Sequence, residues 1–368
     1  MGQLSNLENN TFGDWAYLAI AKHYKKMLKH ESGVLAGEDP EELHQMRVGM
    51  RRLRTAIAGF APALDLPKPA QEKKVAKIAR KLGELRDLDV MQETIEQQYL
   101  PQLPKDEQKA VKKALKDLQK KRKKAFKKVS KTLTGKTYQK MTDGFNTWLE
   151  QPTHHAIAAL DIDLVLPDLL LPQLSEFLLH PGWFVGVKQN ANTGFIFETP
   201  DPPTVYNILD EQAAHLHDLR KEAKRTRYQM ELFSQFYGDN YDQYIQDIKQ
   251  IQSLLGEIQD SFVLSEFLVS DLDFELEEEL PVFLQKLQEV RFQKWQDWQP
   301  LQKKFLYPET QMELRKIIIE RNLASQSHPT LNEKQDTSQT EEKSSQVHEE
   351  VNGKVSSESP QDQSSVQS

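Results

Sequence analysis

Apolar residues recur at spacings of three and four over most of residues 14–321, with Lys, Gln, Leu, Glu and Ala filling the positions between. That period marks amphipathic helices. It predicts helices near 14–29, 69–100, 106–131, 138–149, 205–237, 241–268, 281–298 and 309–321. Another starts sharply at Asp39-Pro40-Glu41-Glu42: Asp39 can cap it, Pro40 suits its first position, and Glu42 stands where a capping box needs its acid. From there Leu43, Met46, Met50, Leu53 and Ile57 form one apolar stripe. The pattern breaks at Pro181–Pro203, which is rich in Gly, Pro and Asn. There Trp183-Phe184-Val185-Gly186-Val187 and Phe195-Ile196-Phe197 can pair as a small hairpin or pack as a loop. From about Ala324 to Ser368 the chain has no aromatic residue and too little apolar surface to offset its ordering entropy, which predicts a disordered tail.

The helical pattern repeats. Leu43–Phe60 matches Leu216–Phe233 at an offset of 173, with six of 18 positions identical, among them His44/His217, Arg47/Arg220, Arg52/Arg225 and Arg54/Arg227. At the same offset Leu82-Gly83-Glu84-Leu85-Arg86-Asp87 meets Leu255-Gly256-Glu257-Ile258-Gln259-Asp260. Two matched blocks with no net insertion between them indicate a duplicated helical unit. The expectation is an all-α fold of two similar helical bundles facing each other across a pseudo-twofold axis.

Composition narrows the class. The 368 residues are ample for a buried core, and no apolar run is long enough to span a membrane. Met1–Asn10 has no basic segment followed by an apolar one, so no secretory leader is expected. The absence of cysteine excludes disulfides, thiolate metal sites and a cysteine nucleophile, and fits a cytoplasmic protein. A net charge of −7 by itself argues against an anionic partner, but the charge is segregated. Residues 1–180 hold 30 Lys+Arg against 23 Asp+Glu, and the remainder 18 against 32. The densest stretch, Lys105–Lys140, carries 15 basic and three acidic residues; as a bland feature it is a solvated helix face, as a sharper one a rim that guides a long polyanion. Acid concentrates at Asp271–Glu279 and in the tail, which can be read as plain solvated chain or as a competitor for the basic surface.

The repeated motif has a definite chemistry. His44, Arg47, Arg51 and Arg54 lie at i, i+3, i+7 and i+10 and share one helix face, about 100° from the apolar stripe. His217, Arg220, Lys224 and Arg227 repeat that face, flanked by Arg52, Lys221 and Arg225. Like charges stacked at this spacing disfavour the helix by a few tenths of a kcal/mol per pair. Asp87 and Asp260 can neutralise only part of nine cations, and an external anion is the natural remainder. The arginine fork binds phosphate oxygens in pairs, and a histidine can add a donor.

The blocks HQMRVGMRRLR, LGELRDLDV, LHDLRKEAKRTRY and LLGEIQD together resemble the CHAD (conserved histidine α-helical domain) family, in order and spacing from Phe12 to Tyr307. The resemblance implies two four-helix bundles around a basic channel. It places a CHAD domain at 12–308, with halves about 12–180 and 205–308 joined by a Gly/Pro-rich segment 181–204, then a terminal helix 309–323 and a disordered acidic tail 324–368. It implies non-catalytic binding of inorganic polyphosphate by a bacterial cytoplasmic protein, at polyphosphate granules. The contacts it implies are His44, Arg47, Arg51, Arg52 and Arg54 in the first half, with Arg86 of the RD pair and, more weakly, Arg80 and Lys81. In the second half they are His217, Arg220, Lys221, Lys224, Arg225, Arg227 and Tyr228. The halves differ where Gln259 stands in place of Arg86. Some relatives carry a fused triphosphatase with a Glu-x-Glu-x-Lys strand; the nearest match, Glu275–Glu279, lacks the Lys, so none is expected.

Other classes fit less well. No Walker A, HExxH or GxSxG pattern occurs, and the basic face has no carboxylate to hold Mg²⁺, so no enzyme and no cofactor is expected. A metal role is the first alternative, since His44 and His217 could meet across the axis, yet two histidines in a field of cations make half a tetrahedral site. A generic nucleic-acid or polyanion binder is the other. With Tyr228 the one aromatic beside the stripes, base stacking has little support, and nucleic acid is not expected as a specific partner.

Overall fold

The three-and-four spacing resolves into helices that differ from the predicted ones mainly at their ends. The computed structural model describes residues 10–190, 194–197, 200–271 and 275–320. The first half contains α1 (Phe12–Lys29), α2 (Glu31–Ala36), α3 (Pro40–Gly59), α4 (Glu72–Thr94), α5 (Lys105–Leu133), α6 (Lys136–Glu150) and α7 (Ile162–Leu178). A hairpin of β1 (Val187–Asn190) and β2 (Gly194–Phe197) follows. Then come α8 (Pro202–Leu232), α9 (Asp239–Glu266), the single turn α10 (Leu276–Glu279), α11 (Pro281–Leu306) and α12 (Pro308–Ile319). The fold is all-α. Among the described residues no helix is long and apolar enough to cross a membrane. The predicted tail at 324–368, and the last residues of the predicted terminal helix, lie outside the described residues.

Three local outcomes differ from the sequence expectation. Helix α7 carries Pro167 and Pro172 and is apolar on nearly all sides, so it offers neither a clean stripe nor an uninterrupted ladder to read; it forms because Leu166, Leu170, Leu174 and Phe177 bury almost completely. At the head of α3, Asp39 caps the Glu41 N–H at 2.8 Å, but Glu42 leaves the capping box and takes His30 Nδ1 at 2.9 Å. In the Gly/Pro-rich segment the strands pair Val187 with Phe197 and Asn190 with Gly194. Trp183 lies before them in a short 3₁₀ turn. It stacks on Phe305 at 5.4 Å and donates to the Phe177 carbonyl at 2.7 Å, so part of this connection is core.

The α3 stripe behaves as its spacing demands: Met46, Met50 and Leu53 are fully buried against α1. The two helices cross closely at Gly49, where a Cβ would sit 2.8 Å from the Met27 backbone nitrogen. The main core spreads from α1 and α3 through α7 to α8, α9 and α11. A second apolar cluster joins Val90, Met91 and Ile95 near the end of α4 to Val263, Leu264 and Leu268 near the end of α9. It is tied by Glu107 of α5, whose two carboxylate oxygens accept the Val282 and Phe283 N–H groups at the start of α11, at 3.0 and 2.9 Å.

Positions 173 apart repeatedly meet. The ends of α3 and α8 touch through Phe60 and Phe233, ring centroids 5.2 Å apart. Gly59 approaches Leu232 so closely that a Cβ would lie 2.7 Å from its side chain. Helices α4 and α9 both end in a π-helical turn, at Ile95–Tyr99 and Phe267–Asp271.

Candidate functional site

The α3 spacing that buries the apolar stripe turns Arg47, Arg51 and Arg54 toward α4, and α8 faces them from the second half. Between these helices lies a cleft of about 450 Å³. One wall carries Arg47, Arg51, Arg54 and Arg80, and the other Lys221, Lys224, Arg225 and Tyr228. Its carboxylates are Glu72 and Asp87, so seven cations face two anions. A concave wall of one sign focuses the field into the space it encloses.

Several of these cations are held in place. Arg54 reaches Glu72 at 2.9 Å, and Arg47 lies 4.0 Å from Asp87. Lys221 pairs with Asp218 at 2.6 Å and Arg225 with Glu222 at 2.9 Å. The guanidinium groups of Arg51 and Arg227 lie over the Tyr228 ring, at 4.5 and 4.4 Å from its centroid. Each such contact is worth about 0.5–2 kcal/mol. Tyr228 therefore fixes one arginine from each half, and the pairings leave the cleft strongly positive.

The comparisons with known proteins agree with this architecture. The CHAD domain model matches residues 18–269. The chain belongs to the CHAD family. Among solved structures, the CHAD domain from the plant Ricinus communis superimposes with a TM-score of 0.50 at 19% identity, over 86% of this chain and 94% of that one. PptA from Streptomyces chartreusis superimposes with a TM-score of 0.53 at 14% identity, over 83% of this chain and 100% of that one. At these identities the likeness is one of fold. No curated protein matches by sequence.

Within this CHAD domain the remaining candidate residues lie away from the cleft lining. Arg220 and Arg227 are almost fully buried. Arg220 shares the electrostatic surroundings of Asp260, a fully buried carboxyl that burial pushes up to about 7 against the pull of Arg220 and Lys224, with Glu257 adding to the rise. Asp87 lines the cleft beside Arg47, whereas its motif counterpart Asp260 lies outside the cleft lining with its carboxyl buried near Arg220 and Lys224. His217 is brought down to about 4 by burial and by Lys221 and Arg220, so it is neutral near pH 7 and can donate only as an imidazole. His44 is likewise buried on α3. Arg52 points to α1, where its charge helps hold His23 at about 3, a shift caused first by burial. Lys81 pairs with Glu84 on the outer face of α4.

Arg86 sits in a different pocket, of about 370 Å³, together with Asp39, Glu41, Asp89, Glu93 and Arg122. Arg122 donates to Asp89 at 2.6 Å. Four polar cleft residues were not singled out from the sequence: Thr55, Glu72, Gln173 and Gln229. Thr55 stands one turn beyond Arg51 and was within reach of the same spacing argument; Gln173 lies on α7, which gave no readable pattern. Among the described residues no group of three or more His, Asp or Glu is arranged to hold a metal ion.

Proposed function

We propose that this CHAD domain binds inorganic polyphosphate in the cleft between α3, α4 and α8 without cleaving it. The observation that carries this reading is the excess of five positive charges among the residues lining one cleft of about 450 Å³, of which three remain when the flanking Asp218 and Glu222 are counted. A chain of phosphates threads between the two walls, with arginine forks taking oxygens from one side and Lys221, Lys224 and Arg225 from the other. Displacement of counterions from the polyanion drives binding and makes it fall with salt. Arg220, Arg227, His44 and His217 support the walls from behind. The cleft's carboxylates, Glu72 and Asp87, are already drawn to Arg54 and Arg47, which leaves little to hold a catalytic Mg²⁺. Tyr228 is already covered by guanidinium groups, so it offers no platform for a base.

We read the two walls as copies of one duplicated unit. The meetings of Phe60 with Phe233 and of Gly59 with Leu232 support a pseudo-twofold axis through the seam. The cellular setting that fits is the cytoplasm, at polyphosphate granules. The test is a titration with long-chain polyphosphate across a salt series, with DNA and RNA as competitors and released orthophosphate followed with and without Mg²⁺. Salt-sensitive binding that nucleic acid does not displace, with no release, is expected. Equal displacement by DNA, or phosphate release, overturns the reading.

A further inference from the structure

A cleft of about 450 Å³ is small for a long polymer, and its mouth does not end in neutral surface. Arg80 lines the cleft yet is exposed, and Lys77 lies exposed one turn before it on α4. Lys77, Arg80, Lys81 and Glu84 share a helix face by spacing. Glu84 joins this face to α5: it pairs with Lys81 on its own helix and lies 3.7 Å from Lys128. From Lys128 the same spacing carries Lys124, Lys127 and Lys131, all exposed. Between Lys120 and Lys131 there are eight basic residues and no acidic one. That stretch is about 16 Å long at the helical rise. Its apolar side, Ala125 and Val129, is buried, so the charges face solvent.

We propose that this strip, running from the cleft mouth over α4 onto α5, is a second contact surface for polyphosphate, holding the part of a long chain that the cleft cannot enclose. The inference rests on the cleft reading. Lysine ammonium groups are point charges that follow a polyanion without demanding a fixed geometry. The one aromatic residue in the α5 stretch, Phe126, packs against the core, so the strip reads charge and offers no stack for bases. The protein should therefore discriminate by chain length, the cleft engaging short and long chains and the strip only long ones.

The experiment compares the full chain with a Lys77→Gln/Lys124→Gln/Lys127→Gln/Lys131→Gln variant, titrated with tripolyphosphate, long-chain polyphosphate and single-stranded DNA. Long-chain affinity should fall at least tenfold, tripolyphosphate affinity should stay within a factor of two, and the slope of log K against log salt should become shallower by about 3. The matched Lys→Arg variant, which keeps the charges, should behave as wild type. Unchanged long-chain affinity, an equal fall for tripolyphosphate, or a fall for DNA as large as for polyphosphate overturns the strip. A wild-type chain that binds neither polyphosphate defeats the cleft reading itself, whereas wild-type binding with an unaffected quadruple variant defeats the strip alone.

Discussion

Reversing one cation on each wall, Arg80→Glu on α4 with Arg225→Glu on α8, should weaken polyphosphate binding about 100-fold at ~0.1 M salt. Both side chains are exposed, but Arg225 also pairs with the buried Glu222, so an Arg225→Gln control, which loses that pair without adding a charge, separates the loss of binding from the loss of the pair. Lys224 would be a poorer choice. It is 9% exposed beside buried Asp260, and a glutamate there would bury two repelling carboxylates. The double reversal lowers the lining excess from five positive charges to one. Each reversal removes one attraction and adds one repulsion. At ~4 Å in a water-like dielectric each is about 1 kcal/mol, or about 4 kcal/mol in all. Screening at a Debye length of ~10 Å removes roughly a third. The remaining ~3 kcal/mol is about two decades in affinity. The salt slope should shrink by about 1.4 or more, since two phosphate contacts are lost. Isothermal titration over a salt series measures both quantities, and circular dichroism checks that the helices persist. A loss below threefold with helicity intact would mean that the cleft is not where the polyanion binds.

Three further outcomes follow from the packing. Tyr228→Leu removes the ring under Arg51 and Arg227 and should cost about 2 kcal/mol in urea unfolding, with binding weakened severalfold; Tyr228→Phe should stay near wild type on both counts. Glu107→Ala strips the α11 N-terminus of two charge-assisted hydrogen bonds and should destabilise by about 2 kcal/mol, and a thermal midpoint equal to wild type would remove Glu107 from the account of how the halves are tied. Asp260 and His23 should give pH dependences of opposite sign. The folded chain keeps a proton on Asp260 that the unfolded chain releases, so this group's contribution falls as pH rises from about 4 to about 7, and Asp260→Asn should flatten that limb. The unfolded chain binds a proton at His23 that the folded chain refuses, so its contribution is lost as pH drops from 6.5 toward about 3, and His23→Gln should flatten that limb instead. Unfolding free energies of the variants across pH decide both signs.

Much of this was legible in one dimension because helices project their faces onto sequence at a fixed period. The stripe from Leu43 to Ile57 and the basic face beside it emerged where the spacing put them. Asp87, read from the sequence as one of two acids able to neutralise part of the basic face, lies 4.0 Å from Arg47. Helix α7 was illegible because Pro167, Pro172 and leucines on all sides erase the period, and its stability comes from neighbours far away in the chain. The basic face also proved less uniform than its spacing. Arg51, Lys224 and Arg225 line the cleft, while Arg52 turns to α1 and Arg220 and Arg227 sink behind the wall. Residues one position apart on a helix differ by about 100°, and what covers each direction is set by other helices.

The sequence by itself determined that the chain is helical, along which stretches most helices lie, that a motif recurs 173 residues on, and that cation is segregated from anion; these are local or periodic properties carried by neighbouring residues. Only the tertiary structure decided which cations share a space. It set Arg80 opposite Arg225 across one cleft, sent Arg86 into a pocket of carboxylates, and placed Tyr228 where an arginine from each half could cover it. The cleft and the Arg51 contact with Tyr228 depend on how α3 and α8 cross at their Phe60 and Phe233 ends, and the Arg86 pocket on how α4 packs between the start of α3 and α5. A crossing is fixed by side chains more than a hundred residues apart, which no period along the chain encodes.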